Sequence, residues 1–293
     1  MRNQIIVFCA IAMLVFAACK DTETANTDET YVKNDSTVEY TTKTNNGVVT
    51  YSYTAGDDKI EITVDFSRSA EGADTPAYMV YLNGEMQYGT ESIDNFYGMI
   101  YGARPYAYGD DILFFITRQT GGAHCCEEFT IIPYVNGKLI DPQYISSGGN
   151  LYLTDVNDDG FYDLSIGNKL DYFYASHADS ADGARYYNYQ DGFFVDNPDV
   201  FQGHYQEYMN NAEERLQSDD PSERYHAVIE FGYYAYLLGE TKKAEATIQK
   251  YWNEDWFQSF IQENNYLDQS NEELKARFTT ELQEYAGTTE IYM

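Results

Sequence analysis

Basic residues are scarce in this chain. It carries 18 Lys and Arg against 48 Asp and Glu, for a formal charge of −30 at pH 7. Such a surface repels phosphate backbones and anionic lipid headgroups, which excludes nucleic acid as a partner. Membrane-length apolar runs are missing too. The run Ile5 to Ala18 (IIVFCAIAMLVFAA) has 14 residues, short of the roughly 18–20 that a spanning helix needs. Several catalytic signatures are absent: there is no Gly-x-Ser-x-Gly elbow, no His-Glu-x-x-His, no P-loop and no Gly-x-Gly-x-x-Gly. Acids are abundant, yet no spacing singles out a general acid and base.

Against these absences stand 30 tyrosines, beside only 2 tryptophans and 6 prolines. Hydrophobic residues make up 43% of 293, enough to bury a core and to exclude global disorder. The length suits one large domain or two ordinary ones.

Residues 1–18 read as an address. Arg2 precedes the apolar run, in the charge order of a secretory signal peptide. The run ends in Phe16-Ala17-Ala18-Cys19. This resembles a bacterial lipobox, where two small residues precede a cysteine that is lipidated and becomes the new N-terminus. Phe16 departs from that pattern, which usually has Leu. The resemblance implies removal of 1–18, lipidation at Cys19 and anchoring to a membrane through several acyl chains. It implies a location in the bacterial cell envelope, periplasmic or surface-exposed. After Cys19, residues 20–37 (KDTETANTDETYVKNDST) offer one Tyr and one Val for burial, and read as an acidic, flexible tether.

From 38 to 198 the pattern has period two and predicts a β domain. Ile60-Glu61-Ile62-Thr63-Val64 alternates, while Ile112 to Ile116 (ILFFI) and Phe129 to Tyr134 (FTIIPY) are short runs suited to buried strands. Asn-Gly and Asp-Gly pairs supply the positive φ of tight hairpins. These marks recur. Tyr81-Leu82-Asn83-Gly84, Tyr134-Val135-Asn136-Gly137 and Tyr189-Gln190-Asp191-Gly192 stand 53 and 55 residues apart. Upstream of each lies an acidic turn: Gly56-Asp57-Asp58, Gly109-Asp110-Asp111 and Asn157-Asp158-Asp159. Aligning Ile60, Ile112 and Leu164 gives a spacing of 52 twice. We expect about three units of 52–55 residues, stacked as propeller-like blades or as a sandwich; three blades are too few to close a propeller.

One turn has metal chemistry. Asp155-x-Asn157-x-Asp159-Gly160-x-x-Asp163 places oxygens at positions 1, 3, 5 and 9, with Gly at 6 for a sharp bend and the Phe161 carbonyl at 7. An all-oxygen set suits Ca²⁺ over softer metals. Ile166 at position 12 excludes a standard EF-hand, which needs Glu there. The loop resembles the calcium loop of FG-GAP or VCBS-type repeats, the hairpins of integrin-type propellers, over about 15 residues. That resemblance implies one structural Ca²⁺ held by Asp155, Asn157, Asp159, Asp163 and the Phe161 carbonyl. The acidic turns at 57–58 and 110–111 lack the ligand spacing and are assigned no metal.

Gly121-Gly122-Ala123-His124-Cys125-Cys126 lies between two strand runs. Three readings stand: a vicinal disulfide between Cys125 and Cys126 in an oxidising compartment, two free thiols, or a soft-metal site with His124. His177, His204 and His226 are read as ordinary residues. After Pro198, residues 199–293 turn helical. Helices are expected over 203–217, 222–238 (after an Asp220-Pro221 start) and from a Ser270/Glu273 capping box to about Tyr285. Residues 228–251 resemble one tetratricopeptide-type hairpin, with Gly232, Gly239, Ala244 and Ile248 at its small or apolar positions and a turn at 240–243. Tyr233, Tyr234, Tyr236, Trp252 and Trp256 are expected in the core.

These readings together predict an α+β chain: a β domain of repeated hairpins followed by a helical bundle. The functional expectation is a non-enzymatic, envelope-anchored binding or scaffold module for a protein or glycan ligand, since tyrosines give rigid amphipathic contact surfaces. The alternative is a secreted hydrolase or thiol/redox protein using His124, Cys125 and Cys126.

Overall fold

The computed structural model describes residues 29–31, 40–65, 78–89, 99–119, 127–146, 150–167, 169–170, 172–176, 180–264, 270–288 and 291–292. Strands come first: β1 (Glu29–Tyr31), β2 (Tyr40–Asn45), β3 (Val48–Ala55), β4 (Asp58–Asp65), β5 (Tyr78–Leu82), β6 (Glu85–Gly89), β7 (Met99–Tyr108), β8 (Asp111–Gln119), β9 (Glu127–Val135), β10 (Lys138–Leu139), β11 (Gln143–Ser146), β12 (Leu151–Thr154), β13 (Asp163–Ile166), β14 (Arg185–Gln190) and β15 (Phe193–Val195). Helices follow: α1 (Gln202–Arg215), α2 (Pro221–Leu237), α3 (Thr241–Trp252), α4 (Asp255–Asn264) and α5 (Asn271–Gly287), then a short β16 (Ile291–Tyr292). The chain is therefore α+β: three antiparallel sheets, then helices, with no closed barrel. β1 draws three residues from the segment read as tether.

Each sheet is built on a four-stranded meander: β3-β4-β5-β6, β7-β8-β9-β10 and β12-β13-β14-β15. These are the repeated units that the turn marks outlined. Asn46-Gly47, Asn83-Gly84, Asn136-Gly137 and Asp191-Gly192 each hold two successive positive φ values, as a two-residue type I′ hairpin requires.

One detail of the repeat differs from the sequence alignment. The turn pairs Ala55 with Asp58 in the first unit and Tyr108 with Asp111 in the second. Gly56 thus matches Gly109, and the counterpart of Ile60 is Leu113, not Ile112. A one-residue slip reverses the face of every side chain in a strand. Ile60 faces the second sheet, and Leu113 faces the third.

The sheets stack. Ile60, Ile62, Val64, Tyr78 and Val80 of the first share a core with Ala103, Phe114, Ile116 and Ile132 of the second. Leu113, Phe115, Phe129 and Ile131, on the other face of the second sheet, share a core with Leu164, Ile166, Tyr187 and Phe194 of the third. The uninterrupted ILFFI run follows directly: a strand sandwiched on both sides has no solvent face for a polar residue. The first sheet's far side carries Thr54, Lys59, Glu61 and Thr63, with Met79 and Tyr81 half-buried among them. It is a polar cap, as the terminal layer of a stacked array needs.

The opposite face of the third sheet meets the helices. Tyr186 joins one core with Phe201, Tyr205, Tyr234, Trp252, Phe257, Phe278 and Leu282. α2 is the central helix, with a continuous buried run from Ala227 to Tyr236. Asp220 caps it by accepting from Ser222 N (2.9 Å), ahead of Pro221. It ends in a Schellman closure: Gly239 (φ +73°) donates to Tyr236 O and Glu240 N to Ala235 O. Helix therefore resumes at Thr241, inside the turn expected at 240–243. Gly232 is small because a Cβ there would stand 2.7 Å from Leu282 Cδ2 of α5. The capping box of Ser270 and Glu273 opens α5. α4 and β16 were not anticipated. Buried Tyr233, Tyr234, Tyr236 and Trp252 belong to the core, and Trp256 packs on it half-buried.

Candidate metal centre

The 155–163 loop joins β12 to β13. Asp158 (φ +58°) and Gly160 (φ +89°) bend it back on itself. Its acidic side chains turn inward onto the loop's own amides. Asp159 N donates to Asp155 Oδ1 (3.1 Å) and to Asn157 Oδ1 (3.0 Å). Gly160 N donates to Asp155 Oδ2 (3.0 Å), and Phe161 N to Asp159 Oδ1 (2.8 Å). Val156 N donates to Asp163 Oδ2 (2.9 Å). Asp155 and Asn157 are thus brought to one amide, and Asp163 is folded back under the start of the loop. Among the described residues, no three His, Cys, Asp or Glu side chains are gathered tightly enough to hold a metal. The arrangement is a pre-bent loop whose oxygens rest on backbone donors.

Asp163 is the exception to that economy. The residue is only 1% exposed, and its Oδ1 has no hydrogen-bond partner. A buried carboxylate oxygen left unpaired is costly. Burial is the largest cause raising its pKa to about 6; the Val156 and Asn157 N–H groups oppose the shift, and Asp159 and Asp155 add to it. The donor set is all oxygen, the bend is formed, and one buried oxygen lacks a partner. These features fit a hard divalent cation. Asp155, Asn157, Asp159, Asp163 and the Phe161 carbonyl would hold it, and it would supply the positive charge that this set of carboxylates lacks.

The other two acidic turns carry a different device. Tyr134 OH donates to Asp58 Oδ2 (2.6 Å), and Asn83 Nδ2 donates to Asp58 Oδ1 (2.7 Å). Tyr189 OH donates to Asp111 Oδ2 (2.5 Å). In each case the tyrosine before one unit's Asn/Asp-Gly turn latches the acid that opens the second strand of the preceding unit. The two hydrogen bonds to Asp58 hold its carboxyl below the usual range, and burial followed by Asp58 pushes Tyr134 up to about 12. Both marks were visible in the sequence, but their partnership was not. The signal was their matched recurrence.

Tyr81 is the third tyrosine of the series, and among the described residues no earlier unit offers it an acid to latch. Its hydroxyl donates to Met79 Sδ (3.2 Å). Tyr189→Phe is therefore expected to cost about 1.5–3 kcal/mol of unfolding free energy, as for a hydrogen bond to a charged group. Tyr81→Phe should stay within about 0.5 kcal/mol. Urea unfolding of both variants separates them; equal losses would remove the latch.

His124, Cys125 and Cys126 lie outside the described residues, as do Cys19, the 1–18 segment and His177. His204 and His226 sit half-buried on α1 and α2. A shallow polar depression of about 450 Å³ lies by Asn211, Arg215 and Ser218. Of the groups lining it, Arg215 pairs with Glu230 and Ser218 donates to Glu223. Among the described residues, no helix is long and apolar enough to cross a membrane.

Fold and loop together define a class: three stacked antiparallel meanders, the last bearing an Asp-rich loop, packed on a helical bundle. No family model, no curated protein and no solved structure matches the chain.

Proposed function

We propose that this chain is a lipoprotein of the bacterial cell envelope, tied to a membrane through Cys19, and that its folded part is a non-enzymatic binding or scaffold module for a protein or glycan. One structural Ca²⁺ in the 155–163 loop staples the third unit. The observation that carries the calcium reading is the buried, unpartnered Asp163 Oδ1 at the ninth position of an oxygen-rich bend. A cation there would give a charged partner to an oxygen that has no hydrogen-bond partner among the described residues. The 14-residue apolar run ending just before Cys19 supports the anchor, and the net charge of −30 supports a ligand that is not polyanionic.

Lipidation is tested by growing a bacterial host with labelled palmitate while it makes the full chain. The wild-type protein should take up label and sediment with membranes, whereas Cys19→Ala should do neither. An unlabelled, soluble wild-type protein would remove the anchor from this reading. Screening the soluble form against envelope proteins and a glycan array tests the ligand.

A further inference from the structure

The loop proposed to hold Ca²⁺ does more than close its own hairpin. Its seventh and eighth residues carry aromatic side chains, Phe161 and Tyr162, that are 38% and 37% exposed. Both rest on the neighbouring sheet. The Phe161 ring lies nearly parallel to Tyr108 (9°, centroids 6.3 Å apart), at the end of β7. It stands 6.0 Å from Tyr189, the latch tyrosine, and 3.8 Å from where a Cβ on Gly109 would project. The Tyr162 ring meets Tyr106 of β7 edge-on at 6.1 Å. Tyr108 and Tyr189 are themselves 4.5 Å apart. Tyr108 is buried, its hydroxyl has no hydrogen-bond partner, and the Asp163 carboxylate acts on it electrostatically.

Phe161 thus has two functions in one residue. Its carbonyl stands at the seventh ligand position of the loop, and its ring is stacked on the second sheet. Fixing the carbonyl on a cation fixes the ring over Tyr108, Gly109 and Tyr189, next to the Tyr189–Asp111 latch. At the junction of the first and second units, Tyr134 and Asn83 hold Asp58, and a Cβ on Gly56 would meet nothing within 4 Å.

We infer that the 155–163 loop is an interlayer coupling site: cation occupancy and the docking of the third sheet's loop on the β7–β8 turn are one linked equilibrium. Ca²⁺ therefore tightens the second sheet as well as the third. By linkage, loosening that docking weakens Ca²⁺ binding by the same factor. The inference rests on the calcium reading given above, and adds the direction in which occupancy is transmitted.

The test uses the full chain and Ca²⁺ alone. Calorimetric titration measures affinity, and hydrogen exchange reads backbone protection with and without Ca²⁺. In the wild type, Ca²⁺ should protect amides of 106–112 in addition to those of the loop. Phe161→Ala keeps the carbonyl but loses the ring. It should weaken Ca²⁺ binding about tenfold and erase the added protection at 106–112. Tyr189→Phe leaves the loop intact, breaks only the latch, and should weaken binding in the same direction. If the wild type binds Ca²⁺ but protection stays within 155–163, and both variants bind as the wild type does, the coupling is overturned while the calcium reading stands. If the wild type binds no Ca²⁺ at all, both are overturned.

Discussion

Replacing Asp163 with asparagine is expected to stabilise the cation-free chain and to abolish its thermal response to Ca²⁺. The physical reason is the environment of one side chain. Asp163 is buried, one of its oxygens has no hydrogen-bond partner, and Asp159 and Asp155 of the same loop act on it. Its pKa in the folded chain is raised from 3.8 to about 6, chiefly by burial. A folded-state pKa above the unfolded one contributes stability that is full below about 4 and is lost as pH rises through about 6. At pH 7 the cation-free fold therefore bears a charged, buried carboxylate, a penalty on the order of 2–3 kcal/mol. Asparagine keeps an acceptor for the Val156 amide and removes the charge.

Ca²⁺ should relieve the same penalty in the wild type. At a concentration one hundred times its dissociation constant, a ligand adds about 2.7 kcal/mol. In a chain of this size that corresponds to a rise in Tm of roughly 5–10 °C. Scanning calorimetry in chelator and in excess Ca²⁺, between pH 5 and 7.5, checks every part. In chelator, the wild type should gain stability as pH falls from 7 toward 5, and Asp163→Asn should not. A variant that still gains the wild-type increment from Ca²⁺ would show that Asp163 is not a ligand.

Raising the pH past 10 is expected to unfold the chain in a single cooperative step. Much of the core is phenol. Tyr53, Tyr108, Tyr187, Tyr205, Tyr225 and Tyr233 are among its largest fully buried side chains. Several hydroxyls are tied to the backbone: Tyr225 OH donates to Tyr174 O (2.7 Å), Tyr205 OH accepts from Tyr186 N (2.8 Å) and Tyr234 OH from Ala184 N (2.9 Å). Burial pushes Tyr205, Tyr225 and Tyr234 well above their ordinary 10, and it pushes Tyr174 and Tyr236 up to about 12. The sign is opposite to that of a salt-bridged acid. Each phenol contributes stability fully below pH 10, and that contribution is lost as pH climbs from 10 toward the folded value. A two-unit shift is worth about 2.7 kcal/mol per group, so a few such groups exceed the whole stability of an ordinary domain, about 5–15 kcal/mol.

Lys169 acts in the other direction. Burial is the main cause lowering it to about 8, with Arg185 adding to the shift, so stability should rise slightly between pH 8 and 10.5. Tyrosinate absorbance near 295 nm and far-ultraviolet circular dichroism, followed together, should show that shallow gain and then one coincident transition. Gradual tyrosine titration with native dichroism retained to pH 12 would contradict it.

How much of this was legible beforehand differs from element to element. The type I′ turns at Asn83-Gly84, Asn136-Gly137 and Asp191-Gly192 were plain, because the positive φ they need is a demand on two adjacent residues. The caps at Asp220 and Ser270 were plain because each capping oxygen accepts from an amide only two or three residues on. The ILFFI run announced burial, but not that Phe114 and Phe115 enter different cores. The 155–163 loop was legible as an oxygen-rich bend. That Asp163 ends up sealed from solvent with an unsatisfied oxygen was not, because its burial depends on the elements packed around β13.

The repeat shows the boundary well. Matching Ile60 to Ile112 was reasonable by spacing, yet the hairpin register, set by Gly56 and Gly109, makes Leu113 the true counterpart. α4 went unseen because only Asn253 and Glu254 separate it from α3, and its burial comes from Ile261 in the helical core and Phe257 against Trp252 and Phe278. The Tyr134–Asp58 and Tyr189–Asp111 latches span 76 and 78 residues, beyond the reach of any local pattern.

Sequence alone determined the α+β order, the hairpin turns, the helix caps and the presence of an acidic bend. These follow from φ preferences and side-chain periodicity among residues a few positions apart. Only the tertiary structure decided which faces stack, which tyrosine meets which aspartate, and which carboxylate oxygen is left dry. Those outcomes depend on distances in space between segments far apart in the chain, and on the water that their packing expels.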